Sequence, residues 1–303
     1  VRIGFVLPQF GRGAAQIDQV MRFAASAEEH GAESLWVGDR LLAPVSPTVN
    51  LGNLDHIPAI MRASHDPLTL LGVAAAVTTR VLLGTSTINA PWYPPPLLAR
   101  QALTLDQVSG GRLVLGLGVG WSPDEYAAVG VPWEERGARL DECLDVLAAW
   151  WHDDPVEHAG RTGTIMPSYV QVKPHGIPIY LGGWGRRPMQ RAAERADGFL
   201  PVLLPDTVDQ LDAVVNRPWQ RLRDAAVAAG RPADAIGAAL RYNVAADDDP
   251  AHIGGVLRRV TAETDVADVF VDFMEKDPVG DEAVDLAARV LDAARDGSRH
   301  GRR

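Results

Sequence analysis

The chain has 303 residues, of which 47% are hydrophobic and 22% charged, the composition of an ordinary folded domain. A net charge of -10 excludes wrapping nucleic acid, whose phosphates need basic surface, and no run approaches the roughly 18 apolar residues of a membrane span. The first residues read directly as a strand with no signal segment, so a cytoplasmic location is expected.

Taken in chain order, strand-like runs bounded by turn residues occupy 2–7, 34–37, 81–88, 113–117, 178–181, 198–203, 236–243 and 266–272. Amphipathic helical patterns lie between them at 17–29, 67–78, 96–108, 133–151, 188–196, 208–229 and 253–263, and 283–294 closes the set. Eight strands alternating with helices predict a closed parallel (β/α)8 TIM barrel, which needs about 250 residues. An open doubly wound sheet has fewer strands and a glycine fingerprint after its first one, where this chain has Pro8-Gln9-Phe10-Gly11. Residues 1–296 are expected to form one domain and 297–303 a frayed basic tail.

Two connections exceed ordinary loop length. The segment 40–65 follows a strand's C-terminal end, where barrels build active sites, and is the candidate lid. The segment 153–177 follows a helix and reads as a β-hairpin decoration.

Several chemistries are not written here. The histidines at 30, 56, 65, 152, 158, 175, 252 and 300 show no ligand spacing, so no metal is expected. Cys143 falls at helical spacing with Leu140, Leu144, Leu147 and Trp151 and reads as core. Gly120-Trp121-Ser122-Pro123-Asp124 is not a nucleophile elbow, and both glycine clusters fail the dinucleotide fingerprint at the third glycine, where Trp121 and Pro188 stand.

Three segments allow a positive reading. Ser109-Gly110-Gly111-Arg112 links a helix to a strand, with glycine as left-handed cap. Gly116-x-Gly118-x-Gly120 permits close backbone approach, the ligand's or a β-bulge's. Gly182-Gly183-Trp184-Gly185-Arg186-Arg187-Pro188 has the parts of a phosphate cradle at a helix start, though a glycine turn with solvated arginines has the same composition.

The run Leu83-Gly84-Thr85-Ser86-Thr87-Ile88, then Pro94-Pro95-Pro96-Leu97-Leu98-Ala99-Arg100-Gln101 and Leu105-Asp106-Gln107-Val108-Ser109-Gly110-Gly111-Arg112, resembles the luciferase-like flavin and deazaflavin oxidoreductases. The likeness continues through Leu115–Trp121, Glu125-Tyr126, Gly130, Pro178–Gly183 and Ala196–Phe199, and covers at least residues 1–205. It implies a barrel of the bacterial luciferase type that binds the deazaflavin coenzyme F420, with FMN as the alternative. The implied activity is hydride transfer between deazaflavin C5 and a small organic substrate; the alternatives are an FMN-dependent monooxygenase and a flavin-binding protein without turnover. A homodimer and a separate enzyme supplying reduced F420 or FMN are also implied.

Residue by residue, the resemblance puts a non-prolyl cis peptide at Ser86-Thr87 behind the ring, with Asn89, Gly118 and Gly120 beside it. It puts the cofactor phosphate on Gly182, Gly183, Trp184, Gly185, Arg186 and Arg187, and it brings Asp39 to the ring. In the sugar-phosphate dehydrogenase branch a catalytic histidine follows the aspartate and a catalytic glutamate takes the position of Trp121. Here Arg40 and Trp121 stand there, so glucose 6-phosphate is not expected, and the catalytic candidates are Asp39, Arg40 and Trp121. The loop 40–65 and Trp92-Tyr93 are expected to wall a partly apolar substrate pocket.

Overall fold

The computed structural model describes residues 1–48 and 57–296. Its strands are β1 (Arg2–Val6), β2 (Ser34–Val37), β3 (Leu82–Thr85), β4 (Ile88–Asn89), β5 (Leu113–Gly118), β6 (Val156–Ala159), β7 (Thr164–Ser168), β8 (Ile179–Leu181), β9 (Gly198–Phe199), β10 (Val202–Leu203), β11 (Gly237–Asn243) and β12 (Asp268–Asp272). The α-helices are α1 (Gly11–Ala14), α2 (Gln19–Glu29), α3 (Pro67–Val77), α4 (Pro95–Ser109), α5 (Pro123–Ala128), α6 (Arg136–His152), α7 (Arg186–Arg195), α8 (Arg217–Ala228), α9 (Pro250–Glu263) and α10 (Gly280–Asp296).

All the strands except the β6–β7 hairpin pair in parallel, and the ladder closes: β1 pairs with β2 and β12, β5 joins the β3–β4 stave to β8, and β9 and β10 both reach β11. The result is the eight-staved barrel that the alternation predicts. The hairpin β6–β7 is the decoration expected in 153–177. The expected tail 297–303 lies outside the described residues.

Two of the expected strands are interrupted. The run 81–88 leaves the ladder between β3 and β4, where the Ser86–Thr87 peptide is cis, as the resemblance implied. The run 198–203 breaks between β9 and β10 at Leu200-Pro201, a proline having no N–H to give to a ladder. The expected helix 208–229 contains a wide π turn, Asp212–Asn216, ahead of α8, where Pro218 leaves the preceding turn without a donor. The helix expected from 188 begins at Arg186, so that Pro188 lies in its first turn.

Strand alternation divides the core in two. Phe5, Leu35 and Val37 face outward onto the helices, while Val6, Trp36, Val114, Leu200, Ala239 and Phe270 fill the barrel, with Trp36 stacked on Phe270 at 4.2 Å. Cys143 sits in the outer layer, its thiol pushed up to about 12 by burial, which agrees with a core role. At the barrel rim opposite the site, Arg112 donates to the carbonyls of Ala75, Thr78, Val81 and Ser109, and Gly110 adopts φ 69°. The Ser-Gly-Gly-Arg segment is therefore a structural latch. No helix among the described residues is long and apolar enough to cross a membrane.

Candidate active site

Each loop after a strand's C-terminal end reaches the same mouth of the barrel, where a cavity of about 190 Å³ opens. Phe10 enters from the β1 side, Asp39 and Arg40 follow β2, and Ser86, Thr87 and Asn89 come from the third stave. Gly120, Trp121 and Glu125 follow β5, while Arg241 on β11 and Met274 after β12 complete the far wall. Met61 brings in the described part of the 40–65 connection; residues 49–56 of that candidate lid lie outside the described residues.

The glycines of β5 are explained by their neighbour stave. Thr85 Oγ1 donates to the Gly116 carbonyl at 2.7 Å and accepts from the Gly116 N–H at 2.8 Å, leaving no room for a Cβ. A Cβ on Gly118 would stand 2.5 Å from Thr87 Oγ1, and one on Gly120 would stand 2.9 Å from Asn89 Oδ1. Alternate residues of one strand thus make space for alternate residues of the next. The close approach expected of a ligand at this run is made first by protein, and only Gly120 also faces the cavity.

Asp39 is held at the end of β2 by the third stave. Its Oδ2 accepts from the Asn89 N–H at 2.9 Å and from the Tyr93 hydroxyl at 3.2 Å. Gln9 clamps the preceding residue, donating to the Gly38 carbonyl at 2.8 Å and accepting from its N–H at 2.5 Å. Burial pushes the Asp39 carboxyl up to about 7; the two donors oppose that shift, and the negative charges of Glu125 and Asp66 add to it. A carboxyl that titrates near neutrality inside a cavity can hold or release a proton at working pH. Tyr93, half-buried beside it, is raised well above the phenol range by desolvation and stays protonated.

Arg40 does not pair with Asp39. Its Nη1 faces Glu125 Oε2 at 3.4 Å, in an ion pair whose side chains are 5% and 2% exposed. Glu125 Oε1 also accepts from the N–H groups of Leu41 and Leu42 at 2.8 and 3.3 Å, and Asp124 takes the Thr48 hydroxyl at 2.6 Å. The start of α5 therefore pins the loop after β2. Burial raises the Glu125 carboxyl and lowers the Arg40 guanidinium, each opposed by the other's charge. Trp121 meets the Arg40 guanidinium, with Cζ 4.5 Å from its ring centroid. The indole is partly exposed and belongs to the cavity wall, not the core.

Phe10, Glu125, Met274 and the pair Arg241–Asp272 escaped the sequence reading as site residues. Arg241 donates through Nη2 and Nε to Asp272, and through Nη1 to the Ser86 carbonyl at 3.1 Å. The signal was an arginine inside the strand-like run 236–243 and an aspartate ending the adjacent run, an opposite pair on neighbouring strands. Trp92, expected in the pocket wall, packs edge-on against Tyr126 instead, and Tyr93 acts through Asp39.

The cradle after β8 lies beside this cavity. Gly182 sits against the Thr87 methyl, so Thr87 backs both Gly118 and Gly182. Gly183 and Gly185 adopt φ 124° and 99°, and Gly185 caps the ten-residue helix α7. A Cβ on Gly185 would meet nothing within 4 Å; the glycine serves the backbone conformation and open space, not a close protein contact. The first N–H groups of α7 have no intrahelical partners, and Arg186 and Arg187 are exposed there. Trp184 is half-exposed and meets Phe199 edge-on. Arg187 lines a separate groove of about 550 Å³ between α6 and α7. These features fit a phosphate at a helix N-terminus. Asp39, Arg40, Ser86, Thr87, Asn89, Gly120 and Trp121 thus share one cavity, Gly118 and Gly182 support it, and Gly183–Arg187 stand outside it.

A parallel eight-staved barrel with its cavity among these loops is a TIM barrel with an enzyme-like mouth. The luciferase-like monooxygenase family matches residues 1–301, and the chain belongs to that family of flavin- and deazaflavin-dependent oxidoreductases. An uncharacterised protein of Mycobacterium tuberculosis is 33% identical over 217 residues, 69% of this chain and 73% of that one. The F420-dependent glucose-6-phosphate dehydrogenase of Nakamurella multipartita is 32% identical over 237 residues, 75% of this chain and 63% of that protein. Among solved structures, a monooxygenase from Streptomyces bottropensis superposes with a TM-score of 0.77 at 18% identity, over 98% of this chain and 100% of that one. An F420-dependent secondary alcohol dehydrogenase in complex with an F420–acetone adduct gives 0.72 at 18% identity, over 97% and 99%. At that identity the likeness concerns the fold.

Proposed function

We propose that the protein is an F420-dependent oxidoreductase acting on a small organic substrate. The observation that carries the reading is Asp39: a carboxyl titrating near 7, set in the wall of the cavity at the barrel mouth, beside a glycine-lined helix N-terminus suited to phosphate. The names of the relatives support the coenzyme, since F420 is named for the Nakamurella enzyme and for the alcohol dehydrogenase.

When bound, deazaflavin supplies a carbon that carries a hydride with little oxygen chemistry. The chain's own residues do the rest. Backbone N–H groups around Gly183–Arg187 would hold the phosphate, with Arg186 and Arg187 adding positive charge. Thr87, backed by Gly118 and Gly182, and Asn89 fix the wall of the ring pocket. Asp39 holds the proton that must accompany hydride transfer to or from a carbonyl carbon, and Tyr93 and Asn89 keep its Oδ2 in place. Trp121 and Met274 give apolar surface that excludes water. Arg40 and Trp121 stand where a sugar-phosphate dehydrogenase has its catalytic pair, so glucose 6-phosphate is not the expected substrate. A homodimer in the cytoplasm, supplied with reduced coenzyme by a separate enzyme, completes the proposal.

The second reading is an FMN-dependent monooxygenase, favoured by the family name and by the Streptomyces structure. Parallel titrations with F420 and with FMN, followed by tryptophan fluorescence, separate the two. F420 binding at least tenfold tighter than FMN is expected; the reverse order overturns the coenzyme assignment.

A further inference from the structure

We propose that the Nε/Nη2 edge of Arg40 is a carboxylate-binding subsite, and that the substrate is therefore a small organic acid. The proposal rests on the oxidoreductase reading for the word substrate, but the subsite itself stands on the geometry of Arg40.

Arg40 lines the cavity with a side chain only 5% exposed, and its three nitrogens are treated unequally. Nη1 has Glu125, whereas Nε and Nη2 are buried without a partner among the described residues. Leaving a buried donor unpaired is unfavourable, most of all on a charged group, so two on one guanidinium mark a place where an acceptor belongs.

The shape of that acceptor follows from the fork. Nε–H and one Nη2–H are parallel, and a planar pair of oxygens matches both at once. The same molecule shows the match twice. Arg2 gives Nε and Nη2 to the two oxygens of Asp268 at 2.5 and 2.6 Å, and Arg191 gives them to Asp141 at 2.5 and 3.0 Å.

The surroundings select an acid of modest size. Glu125 is committed to Nη1 and to two backbone N–H groups, so it does not serve the unpartnered edge. The Trp121 ring lies against the guanidinium, and Phe10, Met61 and Met274 supply apolar surface for a carbon body. The coenzyme ring would share this cavity of about 190 Å³, so little room is left for the substrate. Below neutral pH Asp39 holds a proton, so its charge does not repel the incoming anion.

Calorimetric titration of the full chain, with and without F420, tests this with acid and amide pairs that share a carbon body: benzoate and benzamide, phenylacetate and phenylacetamide. At least one acid is expected to bind ten times more tightly than its amide. Arg40→Lys keeps a cation opposite Glu125 but lacks the fork, and is expected to lose that tenfold preference. Equal binding of acids and amides, binding of neither, or an undiminished preference in folded Arg40→Lys overturns the subsite. Should Arg40→Lys not fold, the acid-to-amide ratio in the unaltered protein decides alone. Acid preference without F420 binding would overturn the coenzyme reading and keep the subsite; F420 binding without acid preference does the opposite.

Discussion

The Tyr93 hydroxyl donates to Asp39 Oδ2 at 3.2 Å while the Asn89 side-chain amide donates to the Asp39 backbone carbonyl, also at 3.2 Å. One residue at the end of β2 is thereby fastened at two points to the chain following β3, and its carboxyl cannot turn away from the cavity. The proton chemistry proposed for Asp39 is thus tied to the neighbouring stave of the cavity wall.

That burial has a pH signature in stability. With a folded pKa of about 7 against an ordinary value of 3.8, Asp39 keeps a proton that the unfolded chain has already released. Over that interval the native state binds more protons, so the Asp39 contribution to stability falls as pH rises from about 4 to about 7 and then levels off. Asp39→Asn removes the penalty. Urea unfolding at about pH 5 and about pH 8 is expected to show the variant gaining on the unaltered protein at the higher pH; parallel behaviour would mean that Asp39 ionises freely.

Glu28 predicts the opposite sign at the other end of the barrel. Burial raises its carboxyl, but the N–H groups of Thr79, Arg80 and Val81 and the Thr79 hydroxyl outweigh that and hold it down at about 2, against an ordinary 4.5. This stability is fully present above about 4.5 and is lost as pH falls toward 2. Glu28→Gln is expected to cost about 3 kcal/mol at neutral pH and much less near pH 3, as read from denaturant midpoints.

The contrast between these carboxyls explains what was legible in the sequence. The eight staves were, because parallel strands buried on both faces leave apolar runs such as Ser34–Val37, separated by helical patterns. Asp39, Arg40 and Trp121 came from the family resemblance, and all three stand just past strand ends. Their partners were not legible: Glu125 lies 85 residues from Arg40 and Arg241 lies 155 residues from Ser86, and no local period records a contact made only by closing a barrel. The role of the β5 glycines stayed open for a related reason. Spacing reveals that something comes close, and only the fold reveals that the neighbours are Thr85, Thr87 and Asn89.

Breaking the Arg40 pair from the other side should be costly. Glu125→Ala leaves a buried guanidinium and the N–H groups of Leu41 and Leu42 without their acceptor, and is expected to destabilise by about 3–5 kcal/mol. Glu125→Gln keeps an acceptor oxygen and should cost distinctly less. Equal denaturation midpoints for the two variants would argue that the hydrogen bonds from Leu41 and Leu42 contribute little beside the lost charge.

Gly185 separates backbone strain from ligand charge. A Cβ there touches nothing, but φ of 99° is unfavourable for other residues, so Gly185→Ala and Gly185→Asp share a strain of about 1–3 kcal/mol. Only aspartate sets a negative charge at the N-terminus of α7. Gly185→Asp is expected to weaken F420 binding at least tenfold beyond Gly185→Ala; equal affinities would remove the phosphate from this helix.

Trp121 offers the sharpest test of how the mouth is used, because its substitution can fill the Arg40 fork from within. The indole lies outside both apolar clusters of the core and is partly exposed, so replacing it should shift stability by about 1 kcal/mol or less, whereas a buried tryptophan would cost about 3–5 kcal/mol. In Trp121→Glu the new carboxylate stands beside a guanidinium whose Cζ was 4.5 Å from the indole centroid, close enough to take the unpartnered Nε and Nη2. The variant should then melt close to the unaltered protein and yet lose the preference for acids over amides. Trp121→Phe keeps an apolar ring and no charge, and should retain that preference. A large fall in melting temperature for both variants would make Trp121 a structural plug. Unchanged acid binding in folded Trp121→Glu would show that the fork of Arg40 is turned away from the ligand.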